Sequence, residues 1–140
     1  MKLSNKISEI DKEFINNEIL NAGCQENELP IFNDLFWVCK ESENIIFFFG
    51  LKINKLNILE YFWIDTKIRQ NRKIVYKLLK LFDSKLKELN IDNVIVDSKN
   101  HLEKRLSKLF NTKPYSVVND NIYYNINICA IINNIMEKIK

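Results

Sequence analysis

A chain of 140 residues, 46% hydrophobic and 28% charged, can bury one core but is too short for two ordinary domains, so residues 1–140 read as a single domain. That balance excludes a disordered chain, and a formal charge of +3 is too small to mark a nucleic-acid-binding protein. The cysteines Cys24, Cys39 and Cys129 are odd in number and widely spaced, without a CxxC pair. They argue against a disulfide framework or a metal site and suit a reducing compartment. The N-terminal stretch lacks the continuous apolar run of a signal peptide, and no segment is long enough for a membrane span, so the cytoplasm is the expected address.

In chain order, residues 7–21 place Ile10, Phe14, Ile15 and Ile19 at helical spacing, and Gly23 can end that helix. A loop containing Pro30 leads to a strand at 35–40, a polar turn at 41–44 and a second strand at 45–53 rich in Phe and Ile. A four-residue connection, 54–57, leads into a third strand at 58–65, and short links of this kind make the three strands antiparallel. Residues 74–89 carry Ile74, Leu78, Leu81, Phe82, Leu86 and Leu89 as a stripe suited to packing on a sheet, and Asn90 closes that helix.

The β-branched strand at 91–97 implies a crossover and a parallel pair. A second helix is expected over about 102–110, stopped by Pro114, and two strands at 115–118 and 122–128 around the turn 119–121. The sum is an α+β fold with a mixed sheet of about six strands and helices on its faces. The tail from 129 to 140 places Ile131, Ile132, Ile135, Met136 and Ile139 on one face of a C-terminal helix. It would pack on its own domain or dock to another subunit or a larger assembly.

The chemistry concentrates between the third strand and the helix that follows it. A strand feeding a helix N-terminus through a short basic loop brings free backbone N–H groups and the positive end of the helix dipole to one point, where an anion can sit. Lys67, Arg69, Arg72, Lys73 and Lys77 gather positive charge there. The plain alternative is a solvated loop whose basic residues face water.

The residues Gln70, Asn71, Arg72, Lys73, Ile74 and Val75, followed by Leu78 and Leu79, resemble the acetyl-CoA pyrophosphate loop of the GNAT acyltransferase family. That loop runs Gln or Arg, two variable residues, Gly, another variable residue, then Gly or Ala, and here Lys73 and Val75 stand at the glycine positions. Asn100, with the helix after it ending near Asn111 and Thr112, resembles the family's second signature, and the order of elements from 35 to 128 is similar to the GNAT fold.

The resemblance implies acetyl-CoA as cofactor and an amine as acceptor. Backbone N–H groups from Asn71 to Tyr76 would hold the pyrophosphate, and the edge of the third strand near Phe62 and Ile64 would pair with pantetheine as an added strand. Glu60 would be the general base, and Ser107 falls where many members carry the tyrosine that protonates the leaving thiolate. A serine hydroxyl is a far poorer donor to a thiolate than a phenol.

Each of these residues also has a plain reading: Glu60 as a solvated glutamate, His101 as a surface or capping residue, and Tyr61, Phe62 and Trp63 as core. The glycine-free loop, Ser107 and the apolar tail point to a rival function. That rival is a GNAT fold without catalysis, serving as a structural or interaction protein such as a phage virion component.

Overall fold

The computed structural model describes residues 1–54, 57–92, 94–97, 114–118 and 121–126. The expected helix over 102–110, the C-terminal helix, Asn100, His101, Ser107 and Cys129 lie outside them.

Helix α1 spans Glu9–Asn21. Its start is fixed by Ser8, whose side chain accepts the Asp11 N–H at 3.1 Å while Asp11 Oδ2 accepts the Ser8 N–H at 3.2 Å, a reciprocal capping box. Its end is fixed at Gly23, which takes φ 102° beyond the Ala22 cap while the Cys24 N–H reaches back to the Ile19 carbonyl. Only part of the expected apolar stripe turns inward. Ile15 and Ile19 are buried, whereas Ile10 is 80% exposed, because the sheet covers only a narrow arc of this helix.

Asp11 is buried and ion-paired to Lys40 on the neighbouring sheet at 2.8 Å, which ties α1 to the strand below it. Burial would push its carboxyl up, but the Lys40 ammonium and the Ser8 bonds outweigh that and hold it below the usual 3.8. A depressed folded-state pKa contributes stability above the unfolded value and loses it as pH falls through the folded one. Asp11→Asn should therefore destabilise the protein at pH 7, and the gap from wild type should narrow once pH drops below about 4. Urea denaturation at pH 7 and at about pH 3 checks this.

The strands are β1 (Leu3–Ser4), β2 (Phe36–Glu41), β3 (Asn44–Ile53), β4 (Asn57–Ile64), β5 (Val94–Asp97), β6 (Pro114–Val118) and β7 (Asn121–Ile126). They form one sheet in the order β1-β2-β3-β4-β5-β7-β6, antiparallel except for β4 beside β5. The mixed sheet, the three-strand meander and the parallel crossover are as expected. The seventh strand is β1, two residues whose pairing with Val38 and Cys39 leaves no periodic signal in the sequence.

Helix α2 (Arg72–Glu88) begins two residues before the expected start. It closes as expected at Asn90, whose φ of 60° follows the Leu89 cap while the Ile91 N–H bonds the Leu86 carbonyl at 2.8 Å.

Helices cover both faces of the sheet, which is why β2 and β3 read as nearly unbroken apolar runs. On one face Leu78, Leu79, Phe82 and Leu86 of α2 pack with Trp37, Phe47, Phe49, Leu59, Phe62 and Ile64. On the other, Ile15 and Ile19 of α1 pack with Phe36, Val38 and Phe48, flanked by Tyr61 and Trp63. The aromatic run Tyr61, Phe62 and Trp63 thus divides between the two cores.

Gly50 has a steric role in β3. A Cβ there would sit 2.7 Å from Phe36 Cδ2 and 3.0 Å from Tyr61 Cδ2. Gly50→Ala should cost about 1–3 kcal/mol of unfolding free energy by displacing those rings, read as a lower denaturation midpoint.

Candidate functional site

The site is built on the way β4 leaves the sheet. Gly50 pairs with Tyr61 and the next residue, Leu51, pairs with Leu59, so Glu60 is the extra residue of a β-bulge. A bulge bends its strand and re-aims a side chain. Here it brings Glu60 to the wall of a cleft of about 590 Å³, shared with Glu28, Leu29, Leu35, Ile58 and Tyr61.

On its other edge β4 meets β5 in parallel. The described register between β4 and β5 is the single pair Ile58↔Ile95, while β5 stays paired to β7 as far as Asp97↔Tyr123. The Asp65 N–H bonds the Ile46 carbonyl at 2.9 Å, next to the pair Phe47↔Ile64, which fixes the phase of the antiparallel ladder. In that phase Trp63 bonds toward β3, and the N–H and C=O groups of Phe62 and Ile64 point to the β5 side. Their side chains are buried beneath α2, so what they offer a ligand is backbone, less the Ile64 carbonyl, which Arg69 occupies.

The chain then passes through two turns, with Ile68 and Arg69 N–H groups on the Asp65 carbonyl and the Asn71 N–H on the Ile68 carbonyl. Arg69 folds back so that its Nε donates to the Ile64 carbonyl at 2.7 Å. Asn71 caps α2, its Oδ1 accepting the Ile74 N–H at 3.3 Å and its carbonyl accepting the Val75 N–H at 3.0 Å.

Of the N–H groups expected to face an anion, those of Asn71, Ile74 and Val75 thus have protein partners. The first-turn donors ahead of the first intrahelical bond are those of Arg72 and Lys73. Val75 and Tyr76 rest against the α2-side core, so the Val75 side chain turns under the helix. Gln70, Arg72, Lys73, Lys67 and Lys77 are exposed, and none of the four cations takes part in an ion pair among the described residues. The arrangement suits a multivalent anion: two helix N-terminal donors, the positive end of the dipole, and solvent-facing cations around them.

The cleft lies toward the other end of β4. Tyr61 spans it, donating its hydroxyl to the Glu28 carbonyl in the 3-10 turn Glu26–Glu28. Burial first, then the charges of Glu60, Cys24 and Glu28, push that phenol far above its ordinary range, so it stays protonated. Cys24 in the same cleft and buried Cys39 are both free thiols, held protonated mainly by burial.

The site residues read from the sequence therefore fall into two groups along one strand. Phe62, Ile64 and the residues from Gln70 to Tyr76 gather at the C-terminal end of β4, and Glu60 sits at the bulge; Ser107 and Asn100 lie outside the described residues. Sequence reasoning missed the cleft, whose walls come from Glu28, Leu29 and Leu35 across the sheet. The one available signal was Gly50, a glycine inside an apolar strand.

No family model and no curated protein sequence matches the chain. Its backbone is similar to that of a GNAT-family acetyltransferase from Staphylococcus aureus Mu50, with a TM-score of 0.63, 20% identity and coverage of 91% of this chain and 98% of that one. It is also similar to a GNAT-family protein from Desulfovibrio desulfuricans, with a TM-score of 0.57, 9% identity and coverage of 90% and 98%. At such identities the likeness speaks for architecture alone, and it extends over nearly the whole of each chain. The chain has the GNAT fold.

Proposed function

We propose that the protein binds acetyl-CoA and transfers its acetyl group to an amine. The observation that carries the reading is the phase of the β3–β4 ladder, which turns the backbone of Phe62 and the Ile64 N–H to the β5 side of a strand that runs into the N-terminus of α2. An extended amide-bearing chain could pair with that edge, and a pyrophosphate at its far end would meet the Arg72 and Lys73 N–H groups and the exposed cations. Acetyl-CoA supplies the acyl group as an activated thioester.

In this reading the protein's own contribution is placement. The strand edge orients the acyl end beside the bulge, and the amine is presented from the cleft on the other side. Glu60 accepts a proton from the amine, directly or through water, as the nitrogen approaches the carbonyl carbon. No covalent bond to the protein is needed. The free thiols Cys24 and Cys39 suit a cytoplasmic setting, and no helix of the described residues is long and apolar enough to cross a membrane.

The test is release of free thiol from acetyl-CoA across a panel of primary amines. Release that depends on both protein and amine is expected; none with any amine would contradict the reading.

A further inference from the structure

We propose that residues 131–139 of this same chain dock across the mouth of the β4 cleft and seat their apolar face on Ile31 and Ile53. The inference stands apart from the acetyl-transfer reading: it concerns what covers the cleft, whatever the cleft binds.

The mouth is an apolar patch. Ile31 is 87% exposed and Ile53 is 43% exposed, and both line the cleft with Leu29, Leu35 and Ile58. Single exposed isoleucines are common, but two on the rim of one apolar-walled cleft form a surface that a partner can cover. Ile31 is also held outward by a pinned loop. Before it, the Glu28 carbonyl accepts the Tyr61 hydroxyl, and Pro30 has a fixed φ. After it, Phe32 packs edge-on against Phe36 with ring centroids 5.0 Å apart, and the Leu35 carbonyl accepts the Leu51 N–H at 2.9 Å. A loop anchored on both sides leaves Ile31 little freedom to turn inward.

The sheet register brings the end of β7 to this mouth. Ile126 pairs with Val94, Ile95 pairs in parallel with Ile58, and Asn57 pairs with Ile53. Ile126, Val94, Asn57 and Ile53 therefore lie in one row across β7, β5, β4 and β3. Three strand spacings separate the ends of that row, about 14 Å. Because β7 is antiparallel to β5, it leaves the sheet at the end where β4 begins and the cleft opens.

Residues 127–140 follow. The first four of them can reach about 13 Å when extended, which brings Ile131 to the patch. From there Ile131, Ile132, Ile135, Met136 and Ile139 recur at helical spacing, and a helix over 131–139 would span about 13 Å. The tail thus carries an apolar face that needs cover, and the patch at the end of its own row lacks one. Ile10 is as exposed, at 80%, but it sits near the start of α1, about 16 Å along the helix from the end that leads into the cleft loop.

Hydrogen–deuterium exchange of the full chain tests the docking, on wild type and on Ile31→Asp, Ile53→Asp and Ile10→Asp. Wild-type amides of 131–139 are expected to exchange about a hundredfold or more slowly than those of a free peptide of the same sequence. Ile31→Asp and Ile53→Asp should each speed them about tenfold or more while the amides of α2 stay as in wild type, and Ile10→Asp should leave both unchanged.

Tail amides that exchange at the free-peptide rate in wild type would overturn the proposal, and that measurement stands whatever a variant's folding. Protection that Ile31→Asp and Ile53→Asp leave untouched, or that Ile10→Asp removes, would overturn it as well. Protection that falls away on dilution from about 100 to about 1 μM would give the mouth to the tail of a second copy and overturn docking within one chain.

Discussion

Phe82→Ala is expected to lower the unfolding free energy by about 3–5 kcal/mol, a large part of what a domain of this size possesses. The ring is fully buried and meets three aromatic rings edge-on, with centroids 4.6 Å from Phe49, 5.3 Å from Phe62 and 6.4 Å from Phe47. It is the side chain through which α2 grips both β3 and β4, and truncation would remove its transfer energy, leave a cavity and abolish the edge contacts together. Half-buried Leu81, on the same helix, gives the comparison: Leu81→Ala should cost clearly less. Urea denaturation of both variants decides it. A loss below about 1 kcal/mol for Phe82→Ala would mean that α2 is not seated on the sheet in this way.

Glu60→Gln should reduce turnover with the best amine by about 10²- to 10⁴-fold while leaving acetyl-CoA affinity within about twofold of wild type. The amide preserves size and shape at the bulge, so the fold and the strand edge survive while the proton acceptor is lost. This separation follows from the geometry: Glu60 lies on the cleft, and the groups proposed to hold the cofactor lie on the other half of β4 and the start of α2. A turnover loss smaller than about threefold would remove Glu60 from the role of base, and a parallel loss of acetyl-CoA affinity would place it in the cofactor site instead.

What the sequence made legible were features written in local periodicity and caps. The Phe-rich run of β3, the β-branched run of β5, the stripe of α2, and the stops at Gly23 and Asn90 all depend on neighbouring residues. The hairpin at 41–44 was legible only as a polar turn. Its left-handed Ser42 and Glu43, φ 50° and 67°, are the conformation a two-residue connection between Glu41 and Asn44 demands, although neither is a glycine.

What lay beyond local reading depends on distant partners. Ile10 sits at helical spacing with Ile15 and Ile19 yet is exposed, because its burial depends on where the sheet ends. The start of α2 was misplaced because Asn71 caps through its side chain, a bond with no hydrophobic signature. The bulge at Glu60 depends on the register with β3, and the cleft depends on the bond from Tyr61 to Glu28, 33 residues apart in sequence. The loop resemblance marked the turn before α2, but which of its N–H groups are free is decided by Ile68 and Asn71, and only the fold shows that.

The central claim is that the β5-side edge of β4 at Phe62 and Ile64 and the N-terminus of α2 form a cofactor site. Calorimetric titration with acetyl-CoA and CoA, on wild type and on the Arg72→Ala/Lys73→Ala double variant, tests it most directly. The account predicts saturable binding of both ligands with a Kd of about micromolar order, weakened about tenfold or more by loss of the two cations. No saturable binding by wild type, or binding that the double variant leaves untouched, would contradict it.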